Sequence, residues 1–328
     1  MRCPAFIVSI ILLLSQLTSA QSTQPTQPTL LVLNKIDSEL CFVDPDEMKV
    51  IAKVSTGVGP HEVCVTDDGK LAIVANYGTA QVVGQSFTIV DLESRKALRT
   101  VDTLPLKRPH GLYADGKGKI WFSAETNACV GRFDPATDKI DAILGTGQGV
   151  SHMVVFNPKT AKLYTTNIMS DSVTVLTAKG PNPMPVHIPV NKQPEALAIS
   201  PDGASVWVGH KQTGDIVVID TKTNKVMQTI ACGGVPIRLA FTPDGKRAIA
   251  TAAEAGAVVV FDTATFKELA RIEVGEVPIG IQPTPDSKRA FISCTGDGKV
   301  VCIDMESLKV TGSVQTGNQP DGMAWVGK

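Results

Sequence analysis

Three histidines and a glutamate recur at one position of a repeating pattern, and they are the residues best suited to chemistry. His61 follows Pro60, His110 follows Pro109, His152 follows Ser151 and Glu195 follows Pro194. Imidazole is the commonest metal ligand and the side chain that titrates nearest neutrality. Three imidazoles with a carboxylate suit a divalent metal (zinc, iron, copper or magnesium) with positions left open for substrate. Without a metal, the same side chains would make a polar pocket for a small molecule or a protein partner. A plainer reading is that histidine caps backbone groups in a turn that duplication has copied.

The elements that must position these residues follow from the repeat. Aligned on a proline or its stand-in, units start at Pro60, Pro109, Ser151, Pro194, Pro236, Pro278 and Pro320, in steps of 49, 42, 43, 42, 42 and 42 residues. Within one unit, short Val- and Ile-rich runs at 196–199, 205–209, 216–220 and 226–230 are separated by Pro-Asp-Gly and Thr/Asn turns. That order predicts four antiparallel strands per unit, and therefore an all-β chain folded as a seven-bladed β-propeller. The seventh unit has only one inner strand, 323–326. Three strands at 30–33, 40–44 and 50–54 lack an inner one, so joining the two ends closes the ring and removes its exposed edges.

In this frame the four residues start the innermost strands at the mouth of the central channel, where the other units carry Ile237, Ile279 and Asp321. Counting sixteen residues on, the second strand returns to the same end with Asn76, Glu125, Asn167, His210, Ala252 and Cys294, and with Asn34 from the closing blade. Glu62 and Arg238, one position beyond the first ring, are candidates for anion or carboxyl contacts or for interblade salt links. His187 falls in an outer strand. The first unit is seven residues longer than its neighbours; five of these fall around residues 81–86 and two before Pro109, both at the histidine end. Asp220, Asp262 and Asp304 recur after a strand and read as turn-bonding aspartates.

Ile199-Ser200-Pro201-Asp202-Gly203, Val217-Val218-Ile219-Asp220-Thr221 and Phe241-Thr242-Pro243-Asp244-Gly245-Lys246 resemble the consensus of the YVTN-repeat propeller family, as does Ala75-Asn76-Tyr77-Gly78. The resemblance covers residues 30–328 and implies seven blades. It implies no single function, because members are described as lactonase-like, surface-antigen-like or DNA-binding, and a shared fold does not transmit chemistry.

Residues 1–20 read as a cleaved signal peptide: Arg2, an apolar run from Phe6 to Leu14, then Thr18-Ser19-Ala20 before Gln21. Residues 21–29 read as a flexible lead-in, and residues 30–328 as the propeller. The expected location is secreted or periplasmic, with no membrane span after cleavage and a monomeric state. Among the cysteines, Cys294 and Cys302 flank one predicted hairpin and are candidates for a disulfide. With 31 basic against 32 acidic residues, the chain has no electrostatic footprint for nucleic acid. No GxSxG, P-loop, HExxH or dinucleotide motif is present. Two functions remain: a binding propeller with its ligand at the His/Glu mouth, or a metal-assisted hydrolase of lactonase type or lyase at the same place.

Overall fold

The computed structural model describes residues 27–178 and 184–327. The signal segment and most of the lead-in lie outside them. Thr29, assigned to the lead-in, already belongs to a strand, Thr29–Asn34.

Seven four-stranded antiparallel sheets form the seven blades. Blade one runs from the inner strand Pro60–Val65 through Leu71–Gly78 and Val83–Asp91 to Lys96–Asp102. Blades two, three, four and six begin with inner strands Pro109–Ala114, Ser151–Asn157, Pro194–Ile199 and Pro278–Pro283. Blade five is the exception: its inner strand is only Leu239–Phe241, so Ile237 and Arg238 precede it. Blade seven joins the two ends, with Pro320–Val326 paired to Thr29–Asn34, then Glu39–Asp44 and Lys49–Ser55. Its inner strand packs against those of blades one and six, so the ring is closed. Apart from three 3-10 turns of three residues, the described residues hold no helix.

The reason for this architecture is visible in a single strand. Blade four carries Ile216-Val217-Val218-Ile219, apolar without interruption. Strand side chains alternate between faces. Ile216 and Val218 pack with Trp207, Val259 and Phe261 against blade five, whereas Val217 and Ile219 pack with Tyr164 and Val173 against blade three. Both faces of the sheet are buried, so no polar alternation is needed. The core is therefore a set of seven slabs, one between each pair of neighbouring blades. Each fully buried Val, Leu, Ile or Phe contributes about 1.5–3 kcal/mol. Fourth strands face solvent; in Lys225–Ala231 only Ile230 is buried.

Turn chemistry fixes the end opposite the channel mouth. In the turns between first and second strands, the Thr66, Ser200, Thr242 and Thr284 hydroxyls donate to Asp68, Asp202, Asp244 and Asp286 at 2.7, 2.6, 2.6 and 2.6 Å. Asp220, Asp262 and Asp304 accept the amide three residues on, at 2.6, 2.7 and 2.7 Å, in the role assigned to them from sequence.

The candidate pairing of Cys294 with Cys302 is not formed. All six described cysteines are free. Cys294 stands opposite Lys299 and Cys302 opposite Phe291, so the two thiols are offset along the hairpin and do not face one another.

Candidate metal centre at the channel mouth

A sharp turn swings each inner strand into the mouth. The residue before each register position is left-handed in six blades, with φ of 59° at Gly59, 51° at Arg108, 55° at Val150, 55° at Gln193, 51° at Val277 and 56° at Gln319. Two of these are valines, for which positive φ is strained. The residue after the register position is thereby delivered to the axis. Small residues let the strands crowd there: a Cβ on Gly322 would lie 2.2 Å from the His61 carbonyl, and one on Gly280 would lie 2.2 Å from that of Asp321.

The three histidines do converge. The His61 and His110 ring centroids are 5.2 Å apart, and those of His110 and His152 are 4.0 Å apart. Tyr77 joins them, 4.4 Å from His61 and 5.3 Å from His110. The carboxylate that completes the group is Glu125 of blade two. It takes the place assigned to Glu195, which instead pairs with Lys211 at 3.3 Å. His110, Glu125 and His152 each bring one ligand atom within 4.8 Å of the others.

The second ring keeps the sixteen-residue count except in blade two. Pro60 pairs with Asn76, Ser151 with Asn167 and Pro194 with His210, but Pro109 pairs with Ala124. A first turn one residue shorter in blade two causes the slip. Asn76, Asn167 and His210, which keep the count, point away from the channel and are buried in the blades. Asn76 accepts from the Gly57 amide and donates to Ser86 and Thr88, all at 3.0 Å. Asn167 donates to Ser172 and Thr174, and His210, fully buried, pairs with Asp215 at 3.0 Å. Their role is to seal the blades. Glu125 reaches the mouth because it lies one residue beyond that ring, at the position filled by Tyr77, Lys211 and Lys35 in other blades. His187 is in an outer strand, bonded to Thr174, as placed from sequence.

Hydrogen bonds fix the rings. His61 Nδ1 faces the Gly59 carbonyl at 3.0 Å. A carbonyl only accepts, so Nδ1 carries the proton and Nε2 keeps its lone pair. Glu125 accepts from Tyr77 through one oxygen and from His152 Nδ1 through the other. Burial disfavours its charge, but these two donors prevail and hold it below the usual range. Burial, then the neighbouring His152 and His61, push His110 well below an ordinary imidazole, so it stays neutral and able to ligate. Burial also lowers His61. Tyr77 is raised by burial and by Glu125, which keeps its hydroxyl protonated.

Several positioning residues carry no sequence signature of their own. Ser123 accepts from the Gly111 amide at 2.9 Å and donates to the His152 carbonyl of the next blade. Ser293 does the same between Gly280, at 2.7 Å, and the Asp321 carbonyl, at 2.8 Å. Arg108 stacks over Tyr77 at 4.8 Å and donates to Thr79 at 2.9 Å, bracing the insertion. That insertion extends the hairpin to Gly78 and Val83 and so lengthens the strands. At the axis Arg238 crosses to Glu62, with Asp321 at 3.7 Å; Asp321 also meets Lys35 at 3.2 Å. A cavity of about 800 Å³ opens on the same rim over blades six and seven, lined by Ile36, Thr295, Asp297 and Asn318, and not over the histidines.

The donor set fits a metal. His110 Nδ1 is buried without a partner among the described residues. Two imidazoles and one carboxylate suit zinc, iron or copper; magnesium, which prefers oxygen throughout, fits poorly. Three protein ligands leave a coordination position open.

No protein-family model matches the chain, and no curated protein matches it. Solved structures do share its fold. A functionally unknown protein from Desulfotomaculum acetoxidans aligns with TM-score 0.78 at 12% identity, over 91% of this chain and 99% of that one. A Bacteroides fragilis protein provisionally named 6-phosphogluconolactonase aligns with TM-score 0.74 at 15% identity, over 92% and 98%. Hydrazine synthase of Kuenenia stuttgartiensis aligns with TM-score 0.68 at 18% identity, over 92% and 99%. At these identities the likeness is one of fold: this chain is a seven-bladed β-propeller, similar in architecture to proteins with quite different names.

Proposed function

We propose that this chain is an exported propeller of the YVTN-repeat type whose channel mouth binds a divalent metal and, through it, a small ligand. The observation that carries the reading is the meeting of His110, Glu125 and His152 within 4.8 Å of one another. Blades two and three supply the ligands, and Tyr77 and His61 of blade one wall the open side. Glu125 fixes the tautomer of His152 and the Gly59 carbonyl that of His61, which leaves the Nε2 lone pair of each ring free.

A second reading places catalysis at the same centre, as a metal-assisted hydrolase acting on a lactone or similar carbonyl. The fold likeness to a protein provisionally named as a lactonase supports it, and so does the protonated Tyr77 hydroxyl beside the ligand set. A bound metal would supply Lewis acidity toward a carbonyl oxygen. The His61 Nε2 lone pair would accept a proton, and Tyr77 would hold one for donation.

Metal analysis of the purified mature chain, beside a His110→Ala/His152→Ala variant, tests both readings. One equivalent of metal in the wild type, lost in a variant that keeps its thermal transition, is expected. A wild type that takes up no metal on reconstitution overturns the proposal, and metal retained by the variant moves the site elsewhere. Export is tested by N-terminal sequencing of the mature form, expected to begin at Gln21.

A further inference from the structure

Arg238 is positioned for a purpose that the blade framework does not need. The amides of Ile237 and Arg238 both donate to Thr251 Oγ1 at 3.0 Å, which pins this segment just before the inner strand of blade five begins. From there the guanidinium spans the axis to Glu62 of blade one, with Asp321 of blade seven at 3.7 Å. Its remaining donors are poorly served. One terminal nitrogen meets the Met153 thioether at 3.4 Å, a weak acceptor. Nε has no partner among the described residues, although it is buried. A guanidinium presents five N–H groups in a rigid fork that matches a carboxylate, and a buried donor left unpaired calls for a partner.

One further observation places this edge beside the candidate metal centre: Met153, whose thioether the guanidinium meets, directly follows His152. The innermost charged side chains stand in equal numbers. Lys35, Arg108, Lys211 and Arg238 stand against Glu62, Glu125, Glu195 and Asp321. A divalent metal added to that neutral set leaves an excess of two positive charges, which a dianion would cancel.

We propose that Arg238 is the anion-recognising residue of the mouth, and that the ligand is a small dicarboxylate. One carboxylate sits on the free edge of the guanidinium, and the other reaches the open position of the metal centre formed by His110, Glu125 and His152. This rests on the metal-binding reading above, and the test separates the two.

Calorimetric titration of the full mature chain, with and without zinc, would use malonate and succinate as probes and succinamide as the neutral control. Arg238→Met combined with Glu62→Gln removes both charges together, so that neither is stranded; Arg238→Lys is the second variant. Zinc-loaded wild type is expected to bind at least one dicarboxylate and to ignore succinamide. The double variant should bind it at least about tenfold more weakly, as loss of a charge-assisted pair implies, with zinc stoichiometry unchanged. Equal dicarboxylate affinity in zinc-loaded wild type and both variants overturns the role of Arg238. Zinc uptake without binding of either dicarboxylate also overturns it, while leaving the metal site standing. If zinc fails to bind but dicarboxylate binding still depends on Arg238, the anion site survives and the metal reading falls.

Discussion

His152 of blade three and Glu125 of blade two meet across the blade boundary, imidazole Nδ1 against carboxylate Oε1. Tyr77 of blade one holds the other oxygen. Three blades thus converge on one carboxylate, which sets the tautomer of His152. Glu125→Gln keeps the volume but loses the charge. It should lower metal affinity by about 10–100-fold while leaving the thermal midpoint nearly unchanged. Competition against a chromogenic chelator measures this, and unaltered affinity would remove Glu125 from the site.

Neighbouring residues in one strand should behave oppositely. Asn76 is 2% exposed and bonds Gly57, Ser86 and Thr88, so Asn76→Ala strands buried groups and should cost about 1–3 kcal/mol of stability. Tyr77→Phe removes one hydroxyl at the mouth, so its effect should fall on metal or ligand affinity more than on folding. Urea unfolding of both variants beside metal titration discriminates; a strongly destabilised Tyr77→Phe with normal metal uptake contradicts the assignment.

Ser123→Ala should loosen the site without touching it. The change leaves the Gly111 amide and the His152 carbonyl without the hydroxyl that joins them, a loss of about 1–3 kcal/mol. Metal affinity should fall with it, because the backbone carrying His152 is no longer clamped to blade two. Ser123→Thr, which keeps the hydroxyl, should recover part of both.

The cysteines should behave as buried hydrophobes. Burial pushes Cys232 and Cys294 up to about 12 and Cys41 and Cys129 to about 11. A thiol reagent should label the native protein slowly, and denaturation should release all six of the described thiols. Finding four would mean that Cys294 and Cys302 are bridged after all.

Acid should act through the turns. The Asp91, Asp220, Asp262 and Asp304 carboxyls lie below the ordinary 3.8, held down first by side-chain hydroxyls and then by the amides of Ser94, Thr223, Thr265 and Ser307. The folded pKa is depressed, so this stability is complete above 3.8 and is lost as pH falls through the folded values. A shallower loss should begin below 6.5, where the unfolded chain protonates a histidine that burial keeps neutral in the fold, as at His210. Thermal midpoints followed from neutral pH downward should show both phases, and Asn at the four aspartates should flatten the acid one.

How much of this was legible in the chain depends on which distances are local. The repeat, the strand order within each blade and the closure between Thr29–Asn34 and Pro320–Val326 follow from period, turn residues and alternation, all of which a linear sequence records. So does the ring of His61, His110, His152, Glu195 and Asp321, because each is fixed by its own register residue. Strand pairing is another matter. One residue fewer in the first turn of blade two places Ala124, not Glu125, opposite Pro109. Side chains alternate along a strand, so a slip of one reverses which of them faces the channel. That slip puts Glu125 on the channel side, at the position of Tyr77, Lys35 and Lys211 in other blades, whereas Asn76, Asn167 and His210, which keep the count, face the blade interior. The reach of Arg238 across the axis to Glu62 joins residues 176 positions apart. The sequence marks both residues as candidates for interblade salt links, but which partner each takes is decided only when seven blades bend the chain into a ring.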